Sequence, residues 1–218
     1  GNDVSTRYTA RGETTYRKYA SYLLEMVREK KGNYMAFFPS YKFMEEVYDR
    51  FLLLAEKEGS RIQCVIQAPY MSEEAREIFL EEFEEEREES LLGFCVMGGI
   101  FSEGIDLSRD RLIGAAVVGT GLPQVCRERE LLKDYFDKKG LRGFDYAYVY
   151  PGMNKVLQSA GRVIRTEEDR GVILLLDDRF REPRYKETFP REWEGLEICN
   201  VKNAGDKMRL FWDQTSSK

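Results

Sequence analysis

Gln158, Gly161, Arg162 and Arg165 stand at i, i+3, i+4 and i+7 within a stretch of helical periodicity. At about 100° per residue, Gln158, Arg162 and Arg165 fall within a sector of roughly 60°. Met153, Leu157, Ala160 and Ile164 take the neighbouring face, which is expected to pack on a sheet. Two arginines along one edge of a packed helix suit a phosphate, because guanidinium forks match its oxygens and keep their charge near neutral pH. Gly161 would let a ligand approach the backbone between them. The same spacing equally suits two surface arginines paired with Glu167, Glu168 or Asp169, and spacing alone leaves both readings open.

A second group follows an apolar run at 92–97: Gly98-Gly99-Ile100-Phe101-Ser102-Glu103-Gly104-Ile105-Asp106-Leu107. Its three glycines permit tight turns and close backbone approach, and Ser102, Glu103 and Asp106 offer a hydroxyl and two carboxylates. Ligands of open α/β sheets bind beyond the C-terminal ends of strands, where this loop would lie. A tight glycine loop with an incidental aspartate is the plain alternative.

The composition removes much else. The 218 residues contain no histidine, which excludes Ser-His-Asp and Cys-His catalysis, His-ligated zinc and imidazole acid–base chemistry. Cys64, Cys95, Cys126 and Cys199 form no C-x-x-C pair, and free thiols in a reduced, cytoplasmic compartment are expected, with no metal site. No G-x-x-x-x-G-K-[ST] segment occurs, so the chain lacks a phosphate cradle of that kind. Apolar runs are short, which argues against a membrane span. The net charge of −5 is uneven: residues 73–110 hold 13 acidic and 3 basic residues, and the remainder holds 31 basic and 26 acidic. That balance argues against a generic nucleic-acid binder but allows a local basic groove. The acidic run Glu81 to Glu89 reads as the solvated face of a helix.

The elements that must position these groups alternate in period. Helices are expected at about 14–31, from Ser40 until Gly59 ends it, from Ser72, over 127–139, over about 145–165 with a break near Pro151-Gly152, and near 204–212. Strands are expected at 34–38, 62–66, 92–97, 112–118, 172–176 and 196–200. Ser40 and Ser72 are placed to cap the helices that follow them. Apolar strands alternating with helices predict a three-layer α/β domain, a mostly parallel central sheet with helices on both faces, over 1–218 as one unit.

Taken in order, these features resemble the C-terminal RecA-like motor domain of superfamily-two helicases, and the XPD/DinG family of ATP-dependent DNA helicases above all. Phe37-Phe38-Pro39-Ser40-Tyr41 is similar to that family's motif IV, Gly99 to Leu107 to motif V, and Gln158-Ser159-Ala160-Gly161-Arg162-Val163-Ile164-Arg165 to motif VI. Asp169-Arg170-Gly171 and Asp177-Asp178-Arg179-Phe180 extend the likeness, which covers about residues 14–182.

The resemblance implies ATP with Mg²⁺ clamped between this domain and an N-terminal Walker A motor domain, with none bound by this chain alone. It implies arginine fingers at Arg162 and Arg165 with Gln158 beside them, and Gly104, Asp106 and Glu103 towards the nucleotide. It places Ser40, Tyr41 and Ser102 against the backbone of single-stranded DNA. The alternatives are a stand-alone nucleic-acid-binding or regulatory module that keeps the fold without ATPase activity, and a small α/β nucleotide-binding enzyme.

Overall fold

The computed structural model describes residues 1–101, 112–164 and 169–215. Its centre is a five-stranded, all-parallel sheet in the order β2-β3-β1-β4-β5, built from β1 (Asn33–Phe38), β2 (Ile62–Ile66), β3 (Ser90–Val96), β4 (Gly114–Val118) and β5 (Val172–Leu176). The helices are α1 (Glu13–Arg28), α2 (Tyr41–Lys57), α3 (Glu73–Glu81), α4 (Arg127–Lys138), α5 (Tyr150–Ala160), the single turn α6 (Pro183–Lys186) and α7 (Ala204–Thr215).

Because side chains alternate along a strand, each strand feeds two cores. Tyr34, Ala36 and Phe38 of β1 join Leu92 and Phe94 of β3 under α1, α2 and α7. Met35 and Phe37 join Leu91 and Cys95 on the other face, under α3 and α5. This double burial explains the unbroken apolar strands. Phe94 anchors the first core: it stacks on Phe38 at 5.7 Å and meets Tyr48 and Phe51 edge-on at 5.0 and 5.5 Å. On the second face Gly93 leaves room for Phe83, whose ring would stand 2.6 Å from a Cβ placed there. Cys64, Cys95, Cys126 and Cys199 are all free thiols, and burial pushes the Cys64 thiol up to about 12.

Four expectations change. The segment 196–200 is not a strand: Leu196 and Ile198 are exposed, Cys199 O accepts from Asn2 N at 2.9 Å, and Asn200 O accepts from Asn203 N and Ala204 N at 3.2 and 3.0 Å in the turn that leads into α7. The acidic run is not a helix face either. α3 stops at Glu81, since carboxylates gather poorly at the negative end of a helix dipole. The chain then wraps around Arg87, whose guanidinium takes Glu82 O at 2.9 Å and Glu85 at 3.0 Å.

In the third change, no break occurs at Pro151-Gly152. The widening comes earlier, as a π-type turn over Asp145–Val149, with Tyr150 N bonding Asp145 O. Proline at 151 has no N–H to offer the carbonyl four residues back. That carbonyl, of Ala147, instead accepts from Arg129 Nη1 of α4 at 2.7 Å. The fourth change concerns the packed face of α5. Met153, Val156, Ala160 and Val163 are buried, whereas Leu157 is half-buried and Ile164 is 45% exposed. The widened turn enters the helix in a different rotational phase from the uniform 3.6-residue count.

Candidate functional site

The C-terminal ends of β1, β2 and β3 meet in one polar cluster. Ser40 is extended, with φ −164° and ψ 158°, and its Oγ accepts from Phe43 N at 3.3 Å to cap α2. Such a cap stabilises a helix by about 1 kcal/mol. It uses a lone pair of Ser40 and leaves the hydroxyl proton to donate. The next residue repeats the logic, because Tyr41 Oη accepts from Gln67 Nε2 at 3.0 Å and keeps its own proton.

Gln67 organises the cluster. It is 3% exposed, its N–H bonds Phe94 O at 2.8 Å, and its Oε1 accepts from Val96 N at 2.9 Å. One amide thus ties the end of β2 to β3 and to the first residue after β1's turn. Gly99 lies against the same amide: a Cβ there would sit 3.0 Å from Val96 O and 3.2 Å from Gln67 Nε2. Sequence reasoning missed Gln67. A glutamine after an apolar strand carries no signal of its own, and its partners lie 26 and 29 positions away.

Gln158 and Arg162 lie elsewhere. α5 begins beside Gly121, just beyond β4, where a Cβ on Gly121 would stand 2.6 Å from Gly152 O. It finishes with Val163 packed on Gly171, at the entrance to β5. The helix therefore runs from the C-terminal to the N-terminal ends of the strands. Regular helix stops at Ala160, and Arg162 N and Val163 N bond back three residues to Ser159 O and Ala160 O at 3.5 and 3.2 Å. Gln158 is exposed and Arg162 half-buried in this tightened turn. Ser40 and Tyr41 follow β1 at the C-terminal ends of the strands, Arg162 adjoins Val163 at the entrance to β5 at the other end of the sheet, and Gln158 stands on the last turn of α5 between them. Ser102, Glu103, Gly104, Asp106 and Arg165 lie outside the described residues.

A third polar cluster closes β5. Asp177 is fully buried and its carboxylate accepts from Thr6 N at 2.9 Å, Thr6 Oγ1 at 2.7 Å, Arg179 N at 3.0 Å, and Arg179 Nε and Nη2 at 2.8 and 2.9 Å. Burial pushes this carboxyl up, but the Arg179 hydrogen bonds and charge, with the Thr6 donors, outweigh it and hold it below the usual aspartate range. All its donors are occupied with one another, so this cluster builds the fold. Among the described residues no group of His, Cys, Asp or Glu is arranged to hold a metal ion, and no helix is long and apolar enough to cross a membrane.

Comparison with known proteins fits this geometry. The family model described as the helicase C-terminal domain matches residues 23–195. The ATP-dependent DNA helicase XPD of Sulfolobus acidocaldarius is 27% identical over 197 residues, covering 85% of this chain and 32% of that protein. The ATP-dependent DNA helicase DinG of Photobacterium profundum is 31% identical over 153 residues, covering 69% of this chain and 21% of that protein. A solved XPD structure, named XPD_APO, superposes with a TM-score of 0.68 at 25% identity, over 86% of this chain and 36% of the other. The chain thus spans about a third or less of the length of these relatives. With a five-stranded parallel sheet, a RecA-like α/β architecture and a family match over most of its length, the chain belongs to the helicase C-terminal domain family, as the C-terminal helicase domain of an XPD/DinG-type superfamily-two helicase.

Proposed function

We propose that this domain is the second motor half of an ATP-dependent DNA helicase, completed by a Walker A domain that binds the nucleotide's phosphates and Mg²⁺. The observation that carries the reading is the separation of the two residue pairs on one family-matched domain. Ser40 and Tyr41, each with a hydroxyl proton left to donate, stand at the C-terminal ends of the strands, while Gln158 stands on the last turn of α5 and Arg162 in the turn that follows it. A strand and a nucleotide can then be held at once, as a motor requires.

In this reading Ser40, Tyr41 and Ser102 donate to phosphate oxygens of single-stranded DNA, a grip that ignores base identity. Arg162 and Arg165 point their guanidinium groups at the terminal phosphate of ATP, and Gln158 orients beside them. The residues present fit donors to a phosphate held by another domain, because the chain has no glycine-lysine cradle of its own. ATP supplies the hydrolysable anhydride bond. The arginines stabilise charge that builds on the phosphoryl oxygens, and Gly104, Asp106 and Glu103 line the nucleotide side.

The test is Arg165→Ala in the full-length protein. DNA-stimulated ATP hydrolysis should fall by roughly 10³-fold, the scale of other arginine fingers. Arg165→Lys should rescue little, since an ammonium cannot reproduce the planar fork. Single-strand binding without nucleotide should hold. Near-normal turnover combined with lost DNA affinity would move Arg165 to the DNA side and overturn the assignment.

A further inference from the structure

Tyr70 is the most exposed large hydrophobic residue among the described residues, at 102%, and the only non-glycine residue among them with positive φ, at +58°. It follows Pro69 in a turn just beyond β2. Proline sets φ for the first central position of such a turn, and the second then wants a glycine or asparagine. Tyrosine there carries backbone strain and also leaves an aromatic ring in water. Neither cost is recovered locally, because Tyr70 makes no ring, ion-pair or hydrogen-bond contact within the described structure. Glycine would serve the turn better, so the ring is retained for something outside the chain.

Its position narrows what that is. Tyr70 lies three residues after Gln67, within about 11 Å of extended chain, and Gln67 is bonded to Tyr41 at 3.0 Å. Ser40 and Tyr41 therefore share this end of the sheet with Tyr70. The charge beside it disfavours a phosphate contact: Glu73 and Glu74 occupy the first turn of the helix capped by Ser72 and already take up its positive end. A flat ring beside carboxylates offers a nucleic acid a stacking surface for a base and nothing for its backbone.

We propose that Tyr70 is a base-stacking post on the single-strand track, taking one unpaired nucleobase on its face while Ser40 and Tyr41 hold the neighbouring phosphates. The inference rests on the proposed single-strand grip and adds to it a contact that senses bases. It predicts that this end of the sheet distinguishes a strand with bases from one without.

The experiment compares oligo-dT with an abasic oligonucleotide of equal length, by fluorescence anisotropy on the full-length protein over a salt series. Wild type should bind oligo-dT more tightly. Tyr70→Ala should weaken oligo-dT binding roughly 5- to 100-fold, the range for one stacked base, leave abasic binding unchanged and keep the same salt slope. Tyr70→Trp should retain oligo-dT binding. Tyr70→Gly should lose it while melting at the same temperature as wild type or higher, which separates binding from folding. Unchanged oligo-dT binding by Tyr70→Ala, or equal losses on both strands, overturns the post while the grip stands. Failure of wild type to bind either strand overturns the grip and the post together.

Discussion

Replacing Asp177 with alanine removes a carboxylate that accepts five hydrogen bonds and leaves Arg179 behind. The magnitude follows from what remains. Hydrogen bonds to charged groups contribute about 1.5–3 kcal/mol each, but five on one carboxylate are not additive. Taking one partner from a buried ion pair costs about 3–5 kcal/mol, mostly through the charge left without its mate. The Arg179 side chain is 15% exposed, so part of it can recover water, which places the loss near 3 kcal/mol. For a chain of this size each kcal/mol moves the melting temperature by about 2–4 °C, giving a fall of about 6–12 °C. Thermal melting by circular dichroism measures it, and urea titration should show a lower midpoint with an unchanged slope. Asp177→Ala with Arg179→Ala should lose less than the two single losses combined, because the double variant strands no charge. The pH dependence carries the same sign. A carboxyl depressed in the folded state contributes its stability above the unfolded value, about pH 4, and loses it as pH falls through the folded value. The advantage of wild type over Asp177→Asn should therefore be full at neutral pH and vanish in strong acid. A fall under 2 °C for Asp177→Ala, or an advantage that grows with acid, would refute the reasoning.

Two other substitutions test particular contacts. Gly121→Ala places a Cβ 2.6 Å from Gly152 O at φ +64°, where the obstacle is backbone that cannot rotate away. It should cost about 2–3 kcal/mol in urea unfolding, whereas Gly59→Ala, at a similar φ but in open space, should cost about 1. Gln67→Leu leaves Val96 N and Tyr41 Oη without their partner and should cost about 1–3 kcal/mol of stability. It should also weaken single-strand binding by as much as Tyr41→Phe or more, measured by anisotropy at fixed salt.

The sheet was legible because its strands are buried on both faces. Runs such as Val172 to Leu176 have no other use in a chain this charged, and edge strand β2, whose Gln63 is exposed, is the one whose run is interrupted. The sixth expected strand fails for a reason composition cannot show: Leu196-Glu197-Ile198-Cys199 alternates well, yet none of the five strands among the described residues pairs with it. Ser40 and Ser72 announced their caps, since capping is local. The face of α5 was misjudged because a widened turn at 145–149 resets the helical phase, and its cause is shared between Pro151 and an arginine on another helix. Gln67, Tyr70 and the pairing of Thr6 with Asp177, itself already marked in Asp177-Asp178-Arg179-Phe180, escaped notice for a related reason. Their meaning lies in contacts across 26 to 171 positions or, for Tyr70, in full exposure at a positive φ.

The central placement of β1 has a mechanical consequence. β1 pairs with β3 on one side, from Asn33 to Phe38, and with β4 on the other, from Tyr34 to Phe37. A tug on Ser40 or Tyr41 along the strand therefore loads two parallel ladders in shear, where many bonds share the strain simultaneously. An edge strand peeled sideways would surrender them one after another. Gln67 adds a cross-tie that passes the load to β2 and β3 before the sheet is deformed. Ser40 and Tyr41, two of the residues proposed to hold DNA, thus follow directly on the doubly paired central strand, so in that reading a displacement of the sheet reaches the DNA with little lost to stretch.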